Sequence, residues 1–149
     1  MKRALRIVFS IAVVLSLLLI WRCIWGPKSL FIQTPNGTIH YYVEQALTPE
    51  QQRTGLMHRK RLSPKTGMIF LFKPLRIAHM WMKNTLIPLD MVFFDRFGRV
   101  VNVHHNAIPG DETIISSQRP VAGVLEINAG EASQYGIGLG STLDLSSLK

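Results

Sequence analysis

At 149 residues the chain is long enough for one domain with a real core and too short for two comfortable ones. Its formal charge of +8 is unevenly placed: Lys2, Arg3, Arg6, Arg22 and Lys28 hold five of the 17 basic side chains and none of the nine acids, leaving 12 against 9, or +3, for the rest. That remainder is an ordinary surface, and no basic run interleaved with aromatics follows it, so nucleic acid is not an expected partner.

The basic start Met1–Arg6 precedes Ile7 to Trp21, fifteen residues without a charge, which reads as a membrane-targeting helix rather than part of the fold. At 1.5 Å per residue they cover about 22 Å of a hydrocarbon core near 30 Å, a length suited to a cleavable signal. The flank Trp21-Arg22-Cys23-Ile24-Trp25 points the other way. It lacks a small-x-small cleavage site, Arg22 can snorkel, and its tryptophans extend the apolar stretch toward an interfacial belt. The expectation is therefore an uncleaved signal-anchor over residues 1–27, with a cleaved signal peptide and secretion as the alternative. Lys2, Arg3 and Arg6 stay inside by the positive-inside tendency, which puts residues 28–149 on the extracytoplasmic, periplasmic side of the inner membrane. Cys23, the single cysteine, lies within this leader and leaves no intrachain disulfide to form.

Gly26-Pro27 ends the leader. Leu30 to Thr34 and Thr38 to Ala46 read as a hairpin around Pro35-Asn36-Gly37. Thr48-Pro49-Glu50-Gln51 carries an N-cap, a proline at the first helical position and a capping-box glutamine, predicting a helix to about Met57 or His58. Gly55 within it implies an early end or a close approach. Arg59, Lys60 and Arg61 then suit a helix carboxyl end or an anionic ligand. Met68 to Phe72 is an apolar run suited to a buried strand, broken by Pro74. His79 to Asp95 reads as strand, polar corner, strand. Asp95-Arg96-Phe97-Gly98 turns into a strand from Arg99 to His104. Residues 108–119 form the longest loop, where function concentrates. Val121 to Ile127 is a further strand with Glu126 embedded as Glu44 is, Ala129-Gly130-Glu131 opens a short helical turn, and Thr142 to Leu145 can close the sheet. Seven or eight short strands and one conspicuous helix predict a mainly β, α+β domain, a compact antiparallel barrel-like fold over residues 28–149.

Asp90 alternates with Val92 and Phe94 on a face that otherwise reads as buried, so its charge needs a partner, and Lys83 is the nearest cation in sequence. No phosphate-binding glycine loop, nucleophile elbow, zinc ligand pair or paired cysteines occurs. Glu44, Asp90 and Glu126 could converge as a general acid and base. His79, Met80, Trp81 and Met82 with Met57, Met68 and Met91 supply soft ligands for a metal, although strand alternation sets His79 apart from Met80 and Met82.

Gly55-Leu56-Met57-His58-Arg59, Gly67-Met68-Ile69-Phe70, Trp81-Met82-Lys83-Asn84-Thr85, Ile87-Pro88-Leu89-Asp90-Met91 and Val124-Leu125-Glu126 together resemble the domain of unknown function family 192, also called uncharacterised protein family 0127. The resemblance runs from about Phe31 to Leu145 and implies a small barrel-like β domain with one helix, often exported, of unassigned activity. Two positions depart from the pattern: Met80 stands where the family has an aromatic, and Gly140-Ser141 stands where it has Gly-Asp.

The resulting expectation is a membrane-anchored, non-catalytic module that binds a small ligand or an envelope protein without a cofactor. Its site would lie near the Lys83-to-Asp90 corner and the 108–119 loop, drawing on Lys83, Asn84, Thr85, Asp90, Glu126 and Arg59. The rivals are a small hydrolase-like enzyme using Asp90 or Glu126 and a soft-metal binder using His79 and the methionines.

Overall fold

The computed structural model describes residues 26–148. The leader expected over residues 1–27 falls almost wholly outside them, and no helix among the described residues is long and apolar enough to cross a membrane.

The chain runs β1 (Lys28–Thr34), β2 (Gly37–Ala46), α1 (Pro49–Thr54), β3 (Thr66–Met80), β4 (Leu89–Phe94), β5 (Val100–Ala107), β6 (Ile115–Asn128), α2 (Glu131–Tyr135) and β7 (Thr142–Leu143), then a 3-10 turn at Leu145–Leu148. One seven-stranded sheet takes the order β5-β4-β6-β3-β2-β1-β7. It is a curled half-barrel whose edges meet at one end: Val100 N donates to Ser141 O (2.9 Å) and Leu143 N to Gly98 O (2.8 Å). The closing role expected of Thr142 and Leu143 is thus met by β7.

Local signals are realised closely. Thr34 pairs with Gly37 across the hairpin turn. Thr48 caps α1, Pro49 opens it, and Gln51 completes the capping box. The helix is shorter than expected, stopping at Thr54, because Gly55 takes φ 48 and ψ −131, a conformation open to glycine. Gly55 also lies close against its neighbours, since a Cβ there would stand 3.3 Å from Phe70 Cζ.

Three long-range expectations are corrected. The sheet is not wholly antiparallel: β2 and β3 pair in parallel, because the segment between them, containing α1, is long enough for a crossover. Pro74 does not end its strand; β3 continues through it to Met80, and the irregular register between Leu71 and Arg76 absorbs the missing amide donor. The strands on either side of the Lys83–Asp90 corner are not neighbours, since β6 lies between β3 and β4. In addition β6 begins at Ile115, which shortens the open loop to 108–114.

Both faces of the sheet are buried, and alternation sorts the side chains. Ile69, Val92, Phe94, Leu125 and Ile127 join Leu30, Tyr41 and Val43 in one cluster. Met68, Phe70, Met91, Phe93 and Val124 join Leu56, Met82 and Ile87 in the other. Every residue of β4 is consequently buried.

Candidate functional site

Three carboxylic acids are buried among the described residues: Asp90, Glu126 and Glu131. A buried carboxylate needs hydrogen bonds or a counter-charge, and two of the three have them. Asp90 accepts from Asn106 N and Ala132 N, both at 2.9 Å. Glu131 accepts from Tyr41 Oη (2.9 Å), Lys65 N (3.1 Å) and Asn128 Nδ2 (3.4 Å). Burial first, and the Glu131 charge second, hold the Tyr41 hydroxyl well above the ordinary tyrosine range.

Glu126 differs. Its side chain has no hydrogen bond or ion pair among the described residues, and burial pushes its carboxyl up to about 8 from an ordinary 4.5. At neutral pH it is therefore a carboxylic acid, with an O–H to donate.

The strand register explains its placement. Glu44 on β2, Met68 on β3, Glu126 on β6 and Met91 on β4 form one cross-strand row, and paired residues share a face. Over that row the chain leaving α1 passes at Gly55 to Met57. Beneath it lies a cleft of about 50 Å³ lined by Gln52 to Met57, Phe70, His79, Met80, Trp81, Thr85 and Glu126. A Cβ at Gly55 would stand 3.8 Å from Glu126 Oε2, so the missing side chain helps keep the acid accessible. Thr85, itself buried, places its hydroxyl 3.4 Å from Lys83 O. Trp81 is half-exposed at the mouth, with Lys83 Nζ 5.5 Å from its ring.

Of the six residues expected to bind ligand, the structure brings Thr85 and Glu126 to this cleft. Lys83 does not reach Asp90; it pairs with Glu112 at 3.4 Å. The reason is topological: with β6 between the two strands, the backbone amides of β5 and α2 reach Asp90 first. Asn84 contributes its backbone, at φ 54, where its carbonyl accepts from His58 N at 2.8 Å. Arg59 forms a two-pronged bond to Glu44 (2.5 and 2.6 Å), which raises the guanidinium further above its usual range. The three acids do not converge. Asp90 pairs with Ile127 and so faces the cluster opposite to the one beside Glu126, while Glu44 is held by Arg59.

His79 and Met80 both line the cleft together with Met57, a proximity that strict alternation does not anticipate. The irregular register between Ile77 and His79 accompanies it. Among the described residues no group of three His, Cys, Asp or Glu side chains could hold a metal. The 108–114 loop frames a separate polar groove of about 580 Å³ with Asn102, His104, Asn106 and Gln118.

Two of the solved structures that resemble the chain illustrate the likeness. One, from Sinorhizobium meliloti 1021 and described as a "putative transcription regulator", is 41% identical with a TM-score of 0.78, over 80% of this chain and 94% of that one. The other, from Novosphingobium aromaticivorans DSM 12444 and described as a protein of unknown function, is 40% identical with a TM-score of 0.76, over 78% of this chain and 83% of that one. No curated protein matches. The family model described as Uncharacterized ACR, COG1430 matches residues 31–145, and the chain belongs to this family, DUF192.

Proposed function

We propose that the domain is a binding module whose site is the Glu126 cleft, and that residues 1–27 hold it at the membrane with the domain on the extracytoplasmic side. One observation carries the binding reading: of the buried acids, Glu126 has no partner among the described residues, and it opens on a cleft. Its carboxyl oxygens open on the cleft instead of being sealed in the core, so their hydrogen bonds are left for water or a ligand to make. Asp90 and Glu131, already satisfied, have no comparable deficit. The anchor reading rests on the basic start and the uncharged run of residues 7–21.

A hydrolase built on two acids is less well supported, because Asp90 and Glu126 face opposite sides of the sheet. A thermal-shift screen of small polar fragments on the full-length protein tests the binding reading, with Glu126→Leu run alongside. Saturation at one hundred times Kd stabilises by about 2.7 kcal/mol, a readily measured shift. The expected result is a set of fragments that raise Tm for the native chain and lose the effect in Glu126→Leu. Fragments acting equally on both proteins would place the site elsewhere, the 108–114 groove being next.

A further inference from the structure

The ligand chemistry that suits the Glu126 cleft follows from the charges around it, and it rests on the binding reading above. The lining contains three titratable side chains: Arg53 from α1, His79 from β3 and Glu126 from β6. Arg53 makes no salt bridge among the described residues; Glu50, three residues earlier on α1, is fully exposed and interacts with it only at longer range, beyond salt-bridge distance. Nearby acids are excluded from the cleft by bonds of their own. Glu44 is held by Arg59, Asp90 lies on the opposite face, and Glu112 pairs with Lys83 beside Trp81.

The cleft thus presents a fixed positive charge at its rim and an uncharged hydrogen-bond donor at its base. A cationic ligand would have to ionise Glu126 in an apolar setting and sit beside a guanidinium that no salt bridge holds among the described residues. An anion meets neither obstacle. The cleft is partly open and small, about 50 Å³, so it accepts the end of a molecule only. A carboxylate fits that size, its planar fork matches guanidinium, and an O–H···O⁻ bond from a neutral acid to a carboxylate is among the stronger hydrogen bonds.

We propose that the cleft binds the carboxylate end of a small organic acid or of a peptide chain, with Glu126 donating its O–H to one oxygen and Arg53 supplying the counter-charge. The bond forms and breaks with the state of Glu126: above its titration near 8 the site carries a negative charge of its own and repels the ligand. Trp81, half-exposed at the mouth, offers its ring to the rest of the ligand. Thr85 adds a hydroxyl that can turn from Lys83 O.

The chain has three tryptophans, Trp21, Trp25 and Trp81, so full-length protein carrying Trp21→Phe and Trp25→Phe reports on the cleft through Trp81 fluorescence. The probes are propionate for a free acid, N-acetylglycine for a chain-terminal carboxylate, and propylammonium. The expected result is saturable binding of at least one carboxylate at up to tens of millimolar, with affinity level to pH 8 and falling about tenfold per unit above it. Glu126→Gln, which keeps a neutral donor, should bind with no such fall. Arg53→Gln should weaken binding about tenfold at every pH, and His79→Gln should leave the profile in place. Whichever carboxylate binds more tightly identifies the source. Preference for propylammonium, with affinity rising toward pH 8, would overturn the carboxylate assignment and leave the cleft a binding site. Silence toward both carboxylates, when fragments from the thermal screen still perturb Trp81, would overturn it equally. An affinity for carboxylates unchanged by both Glu126→Gln and Arg53→Gln would do so as well.

Discussion

Asp90 and Glu126 are both buried acids, yet their substitutions should act in opposite directions. Asp90 satisfies two backbone amides, and a hydrogen bond to a charged group contributes about 1.5 to 3 kcal/mol. Asp90→Ala should therefore cost about 3 kcal/mol or more in chemical denaturation, whereas Lys83→Ala, which breaks an exposed pair with Glu112, should cost less than about 1 kcal/mol. Comparable losses at the two positions would restore the direct pairing that the strand order rules out. Glu126 has no such bonds to lose. Its folded value, raised to about 8 from 4.5, means the native state holds a proton that the unfolded chain releases between those two values. Its contribution is then fully favourable below about pH 4.5, declines as pH rises toward 8 and is level beyond, a change on the order of a few kcal/mol. Glu126→Gln should remove this decline and be the more stable protein at pH 9. A variant with the same pH dependence as the native chain would assign the slope to another group.

The helix α1 and the segment after it connect local chemistry to the cleft. Thr48 accepts from Gln51 N at 3.2 Å, and losing an N-cap hydroxyl costs typically about 1 kcal/mol, so Thr48→Ala should lower stability by that amount. Gly55→Ala should cost a further 1 to 3 kcal/mol, about the strain of a side chain in a sparsely populated backbone region, and should also reduce access to Glu126. Stability measured by denaturation and fragment binding measured by thermal shift separate the two effects; an unchanged protein by both would remove Gly55 from the site. These features were legible because capping, turns and glycine conformation depend on residues a few positions apart. Thr85 and Glu126 were legible as polar side chains among apolar neighbours. What sequence spacing did not reveal was set by distant partners. The insertion of β6 between β3 and β4 separates Lys83 from Asp90, the crossover through α1 makes β2 and β3 parallel, and only the folded chain lays Gly55 to Met57 over Glu126. The buried Tyr41–Glu131 pair likewise joins residues 90 positions apart, beyond any local signal.

In the whole molecule the sheet begins at Lys28 with β1, directly after the residues 1–27 proposed as the anchor. An anchored domain would thus stand close to the lipid surface, with no long tether after residue 27. A reporter active only outside the cytoplasm, fused after Lys149, should be active, and the protein should remain in membranes through a carbonate wash. Recovery of a shorter soluble form would establish cleavage instead. The sheet itself buries both faces and leaves a single acid of β6 without a partner among the described residues, so the ionisation of that acid is the property on which the binding site depends. It can be followed by carbon-detected NMR of the Glu126 side-chain carboxyl in the full-length protein, assigned through Glu126→Gln. A titration midpoint near 8, against the ordinary 4.5, is the expected result. A midpoint close to 4.5 would mean that Glu126 is charged and solvated at neutral pH, and would contradict a neutral, unpartnered acid at the base of the cleft.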